Sequence, residues 1–589
     1  MKKDLGWLGG GILFCIAALM LMPTPQSDPD ATVIENVLLF DGTRFLEDRQ
    51  VLIQGGLVTQ VAGAVRAPAG ARRVDGSGKT LIPGLIDAHT HSWGDALSDA
   101  LRFGVTTQID MFTALQYLDQ ARPARESLEA TERSDLFSAG TLVTAAGGHG
   151  TQFGIAIPTF ENAEEADAFV EARLAEGSDF IKLVIEDGSA YGRGLPTLDA
   201  ARVHAVIKAA HARDVLAVVH VSTLAGAHLA VEAGADGLVH IFHDKVVDDA
   251  LIKAIGDRDF FVIPTLAIIA GFGGTDAHPI SRDDERLSPA QIASLERRFP
   301  MENKGALTRA LESVRKLHEA GIPILAGTDA PNPGTAYGAS MHAELELLTR
   351  AGLDTAEVLA AATALPAEHF PLGKRGRIAE GMRADLLLID GDPRKDLTAT
   401  ASIVELYKNG HRIEPSNPGS GEAATALAAG SISDFEQEGV EASRGFGWQP
   451  TTDEIAGGTS TVAFEKAGEG GNGFVRIDAE VKAGFAFPWS GVIYFPGAAP
   501  MAPVDASGIG AVRFRARGDA GRYRLMFFID GQMMPITETF DIEETWREIS
   551  ISLDALSSRE RLTGMAWVAG PGVGEVRFDL DDVALEPAR

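Results

Sequence analysis

The sequence predicts an α/β chain built round a (β/α)8 barrel, with a small flanking β-sandwich and a separate all-β domain of sandwich or jelly-roll type at the C-terminal end. Three observations predict it. Over residues 81–372, short apolar runs that end in polar or glycine residues alternate with alanine-rich helical stretches, and eight such runs can be counted. On both sides, at 31–80 and 373–412, the texture is short alternating runs broken by turn residues such as Asp-Gly and Gly-Gly. Beyond a linker of small residues at 413–430, alternation returns and holds through 431–589.

The bulk numbers bound the answer. A chain of 589 residues exceeds what one core usually organises, so two or three domains are expected. The formal net charge of −30 argues against a nucleic-acid partner, whose phosphates would be repelled. Cys15 is the only cysteine, so the rest of the chain has no disulfide, thiol nucleophile or thiolate metal ligand.

In chain order, residues 1–30 come first. Met1-Lys2-Lys3 is a positive start, Leu5 to Met22 is apolar or glycine apart from Cys15, and a polar, proline-containing stretch follows. This reads as a secretory leader or a single membrane anchor. The expectation is export to the periplasm or the outside, with a tether through residues 5–22 as the alternative. Next, 31–80 and 373–412 are each too small to bury much alone, so both are expected to build one small β-sandwich beside the barrel.

The barrel runs are LIPGLIDAHTH, VTTQID, GTLVTAA, FIKLVIED, LAVVHV, GLVHIF, FFVIPTLA and PILAGTD. A doubly wound open sheet is the architectural alternative. In a barrel, functional residues sit at the C-terminal ends of the strands. The polar residues there are His89 and His91 on the first run, Lys182 on the fourth, His220 on the fifth, His240 on the sixth and Asp329 on the eighth. Side chains alternate along a strand, so His89 and His91 point to one side and can reach one metal ion. Polar groups in otherwise apolar runs need partners, and a shared ion would supply one.

These residues resemble those of the amidohydrolase superfamily, in its imidazolonepropionase-like and Xaa-Pro dipeptidase-like branch. The matching pieces are PGLIDAHTH (Pro83 to His91), Ile181-Lys182, VVH ending at His220, LVH ending at His240, AGTDA (Ala326 to Ala330) and RGRIAEGMRADLLLIDGDP (Arg375 to Pro393). The resemblance implies a metallohydrolase holding one or two divalent ions, commonly Zn2+. His89, His91 and Asp329 would hold one ion and His220 and His240 the other. Lys182, carboxylated by CO2, would bridge them, because a carbamate offers anionic oxygens where an ammonium offers none. An ordinary Lys182 would instead pair with Glu186 or Asp187. The implied chemistry is attack on a carbonyl by a hydroxide generated at the metal, with Asp329 moving the proton to the leaving group.

Candidates for substrate contact are His149 in the GGHG loop after the third run, also a catalytic candidate, and Tyr191 and Arg193 in DGSAYGRG, which would hold a substrate carboxylate. His243 reads as supporting or structural. The stretch Asp276 to Pro289 reads as a loop or lid over the mouth.

The final segment resembles the complex I intermediate-associated protein 30 group, a galactose-binding-like fold. The pieces are SDFE (Ser433 to Glu436), AGGTST (Ala456 to Thr461), FPWSGVIYF around Trp489 and RARGDAGRYRL (Arg515 to Leu525). Trp448 and Trp489 read as core or rim aromatics, with a ligand platform as the alternative. A glycan, a protein or a second copy of the chain are the partners open to this domain, and a homo-oligomer stays open with them.

The sequence thus predicts an exported, metal-dependent amidohydrolase that cleaves C–N bonds of amides, dipeptides or cyclic amides in a small-molecule substrate. The alternatives are an esterase, lactonase or phosphotriesterase using the same hydroxide, and a non-catalytic binding or assembly protein.

Overall fold

The computed structural model describes residues 28–151, 157–192, 194–272, 279–299, 303–414, 425–437, 439–453, 459–483, 488–497, 502–530, 535–556 and 559–588. The leader, apart from 28–30, and Arg193 lie outside the described residues. Among the described residues, no helix is long and apolar enough to cross a membrane.

Both flanks of the central block enter one eight-stranded sheet. Lys79–Pro83 pairs antiparallel with Leu386–Asp390, with Pro83 opposite Leu386. The sheet bends until Val58 N donates to Met382 O at 2.9 Å. Its inner face buries Ile34, Leu39, Val51, Leu81, Leu388 and Tyr407.

LIPGLIDAHTH is therefore not one strand. Lys79–Pro83 belongs to the flanking sheet, and Leu85–Thr90 is the first strand of the central domain. Gly84 makes the switch. A Cβ there would lie 2.3 Å from Thr106 Oγ1, so only glycine lets the chain pass so close to the second strand.

The central domain is of the (β/α)8 barrel class. Leu85–Thr90, Val105–Asp110 and Asp135–Ser138 pair in parallel. So do Ile181–Ile185, Ala217–Val221, Gly237–Val239 and Phe261–Ile263. Most of these strands are buried over their whole length, as strands covered on both faces must be. A parallel bridge between Val143 and Leu183 joins the two groups on one side. On the other, Leu325 N donates to Val262 O and Ala88 N to Ala326 O, both at 2.9 Å.

Three runs differ from the sequence expectation; the eighth, PILAGTD, is held only by single bridges, Ile324 to Val262 and, just beyond the run, Ala330 to Thr90. The third is Asp135–Ser138, ahead of GTLVTAA, because Gly140 at φ 63° breaks the extended run and leaves only Val143 bridged. The seventh is cut to Phe261–Ile263, because Leu266–Phe272 coils into a helix. That helix starts where Glu344 accepts from Leu266 N at 3.0 Å and Ala267 N at 2.7 Å, placing a carboxyl at its first free N–H groups.

Helices cover the barrel by the usual pattern. In Ala200–His211, Asp199 caps by accepting from Arg202 N, and Val203, Val206, Ile207 and Ala210 form the buried stripe. A buried ion cluster fastens the flanking sheet to the third strand. Lys408 Nζ lies 2.9 Å from Asp135 Oδ2 and 3.2 Å from Asp385 Oδ2, and Arg375 Nε lies 2.7 Å from the same Asp135 oxygen.

Beyond the linker is a separate all-β region. Two sheets, of seven and six strands, pack over a core that includes Trp448, Tyr494, Phe514 and Trp567. Trp448 and Trp489 are buried, and their indole N–H groups donate to Ser433 Oγ at 2.9 Å and Thr451 Oγ1 at 3.3 Å. They are core residues rather than platforms. Arg561 of this region reaches Asp95, in the loop after the first barrel strand, at 2.8 Å.

Candidate metal centre

The first barrel strand delivers His89 and His91 at its C-terminal end. Asp87 on the same strand fixes their register against the eighth run, at Thr328. One of its oxygens accepts from His89 N at 3.2 Å and Thr328 N at 3.0 Å, and the other accepts from Thr328 Oγ1 at 2.6 Å. Asp329 N then donates to His89 O at 2.7 Å. Gly327 permits this approach, since a Cβ there would meet His89 Cβ at 2.7 Å.

The carboxylate of Asp329 meets the imidazoles. Its Oδ1 is 3.0 Å from His91 Nε2 and 3.4 Å from His89 Nε2, and its Oδ2 is 4.0 Å from His240 Nε2. The His240 ring lies between two others, 4.4 Å from His89 and 4.5 Å from His220 between centroids. Ligand atoms of His89, His240 and Asp329 all fall within 4.8 Å of one another. This tightest triad mixes the two groups assigned from the resemblance.

Backbone strain collects at the same strand ends. Asp329 sits at φ 57°, His240 at 123° and Thr265 at 50°, a region costly for a β-branched residue. Thr265 Oγ1 and His240 Nδ1 are 2.7 Å apart, and His91 Nδ1 donates to Phe112 O at 3.3 Å. In both rings Nε2 is then the nitrogen that faces Asp329.

Burial keeps four of the site's imidazoles uncharged. It depresses His89, His149 and His240 well below the usual histidine range and His220 to about 3, so these imidazoles are neutral and keep a lone pair. Burial also lowers the Lys182 ammonium to about 8. Lys182 pairs with neither Glu186 nor Asp187. Glu186 Oε1 accepts from Gly188 N, and Asp187 accepts from Ser189 N and Oγ.

Behind His91, Asp110 accepts from Ser92 N at 2.6 Å and Ser138 Oγ at 2.5 Å. Burial raises its carboxyl to about 6.

The residues fit a divalent cation. His89 Nδ1 and Nε2, His220 Nδ1 and Nε2 and Asp329 Oδ1 are buried without hydrogen-bond partners, a costly state that an ion would relieve. Neutral imidazoles with carboxylate oxygens suit zinc, manganese, cobalt or iron alike.

A cavity of about 330 Å³ opens onto this cluster and is lined by His91, Lys182, His220, His240 and Asp329. His149 and Tyr191 line it too. The His149 ring stacks on His220 at 4.7 Å, and Tyr191 meets His243 edge-on at 5.7 Å. Arg193 lies outside the described residues, so only Tyr191 of that pair is placed. His243 also faces the cavity, a position that strand alternation from His240 did not give, because the strand ends at Val239. The rest of the lining is largely apolar, with Leu142, Leu195, Ile268, Ile269, Phe272 and Phe299.

Of the two readings of Asp276 to Pro289, loop or lid, residues 279–288 form a loop that packs against its neighbours. Ile280 and Leu287 are buried with Phe103 and Leu295, and Arg286 O accepts from Arg102 Nε at 3.0 Å. Ser288 Oγ also donates to Asp99 Oδ2 at 3.0 Å, on the helix Ala96–Leu101, and no described residue of the segment lines the cavity.

Sequence reasoning missed Glu186 as part of this cluster, although period two from Lys182 puts it on the same face. It also missed Thr265 and the wall formed by Leu266–Phe272.

Comparison with known proteins gives the same picture. Residues 80–413 match the model of the Amidohydrolase family. An imidazolonepropionase of Deinococcus radiodurans is 23% identical over 413 residues, covering 62% of this chain and 92% of that protein. Among solved structures, a Xaa-Pro dipeptidase with bound methionine superposes with a TM-score of 0.54 at 21% identity, over 65% of this chain and 100% of that one. Phenylurea hydrolase B does so with 0.54 at 21%, over 65% and 97%.

Proposed function

This chain belongs to the amidohydrolase family and is a hydrolase of carbon–nitrogen bonds, and from that premise we propose that it cleaves the amide bond of a small molecule with an apolar flank. The observation that carries the reading is the set of buried imidazole nitrogens and the Asp329 oxygen left without hydrogen bonds round one point. His89, His91, His220, His240 and Asp329 would hold the divalent metal. When bound, that metal polarises the substrate carbonyl and acidifies water near neutral pH.

The chain's own groups do the rest. Asp329, at the mouth and beside three imidazoles, takes the proton of the attacking water and hands it to the leaving nitrogen. His149 and Tyr191, which line the cavity wall, would hydrogen-bond the carbonyl side of the substrate. Ile268, Ile269 and Phe272 exclude water and give the substrate its apolar neighbour. Lys182 as a carbamate bridging two ions is part of the proposal. Support comes from its burial among the ligands and from the lack of any hydrogen bond or ion pair to its side chain among the described residues. Export through residues 1–30 is a further part, resting on the charged and apolar pattern there.

The test is metal per polypeptide by plasma mass spectrometry on protein lacking residues 1–30, for wild type and Lys182→Ala, with hydrolysis of N-acyl amides, dipeptides and cyclic amides. Near two metals falling to one or fewer in the variant supports the bridged pair. Near one in both makes the centre mononuclear. No metal in a folded, metal-supplemented sample removes the proposal.

A further inference from the structure

Each imidazole facing the centre needs its remote nitrogen fixed, or the ring is free to present either edge. His91 is fixed by the Phe112 carbonyl and His240 by the Thr265 hydroxyl. His220 has neither. Its ring nitrogens are both buried and without hydrogen bonds. The polar atom facing its Nε2 is Glu186 Oε2, at 3.5 Å. Glu186 is itself 1% exposed, and this oxygen has no hydrogen-bond partner either. The other oxygen of Glu186 is committed to Gly188 N at 2.6 Å, at the turn that follows the fourth strand.

We propose that Glu186 is a positioning residue of the metal centre, whose free oxygen takes the Nε2–H of His220 and so turns His220 Nδ1 toward the metal. The inference rests on the metallohydrolase reading and adds a residue to it. Its chemistry follows from the pairing. A buried carboxylate fixes the tautomer of the imidazole beside it and makes the ring a more basic ligand. His220 stands on the strand next to Ile181–Ile185, opposite Val184 in register, and Glu186 directly follows that strand, two residues beyond Val184. Strand alternation then puts Lys182 and Glu186 on the same face, with the side chain of Glu186 behind the ring of His220.

Glu186→Gln is the discriminating variant. Glutamine keeps an oxygen for Gly188 N, so a residue that merely stabilised that turn would tolerate the change. Its remaining NH2 would face His220 Nε2, which could then only accept, and the N–H would move to the edge that should meet the metal. The experiment titrates apo-protein with Co2+ against a competing chelator. It records the visible Co2+ spectrum for wild type, Glu186→Gln, His220→Ala and the double variant, with circular dichroism as the folding control.

The expected result is a folded Glu186→Gln protein with about 10- to 100-fold weaker Co2+ binding and an altered spectrum. The double variant should bind no more weakly than His220→Ala alone, since one residue acts through the other. Wild-type affinity and spectrum in Glu186→Gln would overturn the inference and leave the metallohydrolase reading intact. Additive losses in the double variant would overturn it equally. A wild-type protein that binds no Co2+ would overturn both. If Glu186→Gln fails to fold, Glu186→Asp serves. It keeps the charge but shortens the reach, and a wild-type spectrum there with the Gly188 turn disturbed would likewise overturn the role.

Discussion

His342 gives the barrel a defined acid sensitivity. It lies in the helix Ala339–Arg350 and is 2% exposed. Its Nε2–H donates to Phe103 O at 3.1 Å, and its Nδ1 is 3.1 Å from Thr400 Oγ1. The neutral ring is therefore satisfied at both nitrogens, and burial depresses its pKa from 6.5 to about 4. A depressed histidine contributes stability that is fully present above the unfolded value, and that stability is lost as pH falls toward the folded value. Between pH 7.5 and 5.0 these two values correspond to a loss of about 2 kcal/mol. The assay is urea unfolding followed at 222 nm, because every described α-helix lies between Ala96 and His369 and the helical signal reports the barrel alone. His342→Gln should be less stable at both pH values, and its own drop should be smaller than the wild type's by about 2 kcal/mol. Equal drops in both proteins would refute the reasoning, because the titration would then belong to other groups.

Three further outcomes follow from the same geometry. Asp329→Asn should lose about 100- to 10,000-fold in kcat, the range of a positioned acid–base group, while remaining folded; steady-state kinetics on a metal-reconstituted sample checks this. Thr328→Val removes the hydroxyl that donates to Asp87 at 2.6 Å and leaves a buried carboxylate oxygen unpaired. It should cost about 1–3 kcal/mol in urea unfolding, with no change in far-UV spectrum. Phe272→Ala removes a ring 4.4 Å from Phe299 on the cavity wall. KM for amides with bulky apolar flanks should rise about tenfold, with little change in kcat, and equal KM values in wild type and variant would contradict an apolar subsite.

Much of this architecture was legible because burial on both faces writes itself into a strand as an unbroken apolar run. IKLVI and AVVHV were readable for that reason, and Lys182 and His220 stood out as the polar residues within them. Reading failed where one run served two elements. LIPGLIDAHTH holds strands of two different sheets, and the boundary at Gly84 is set by Thr106, which is distant in sequence. FFVIPTLA holds a strand and the start of a helix, and periodicity cannot separate them in so short a run. The third strand moved because the pairing with Val105–Asp110 selects Asp135–Ser138, a choice made between segments and not within one. Lys182, His220, His240 and Asp329 were found as single residues. Glu186 was seen only as a counter-ion for Lys182, because its partner His220 lies on another strand and only strand pairing reveals it.

The imidazole cluster shows one physical cause acting in two directions. Burying four histidines, a lysine and two carboxylates at one place is unfavourable, because each loses water and several find no hydrogen bond in return. The same loss of water strips protons from His220 and His240, which makes their nitrogens available as ligands, and lowers Lys182, which favours the free amine that CO2 carboxylates. An exposed HxH pair would avoid the first effect and lose the second, since it would be partly protonated and would bind an ion only in competition with water. Hence the strain at His240, Thr265 and Asp329 and the unpaired atoms at His89 and Glu186 belong together. They are stable in company with a cation and costly without one, so chelation should lower the barrel transition at 222 nm while leaving the tryptophan-rich C-terminal region, with Trp448, Trp489, Trp546 and Trp567, unchanged in its own fluorescence transition. A chelated protein with an unaltered barrel transition would mean that the cluster is held by packing alone, and the link between burial and ligation drawn here would fail.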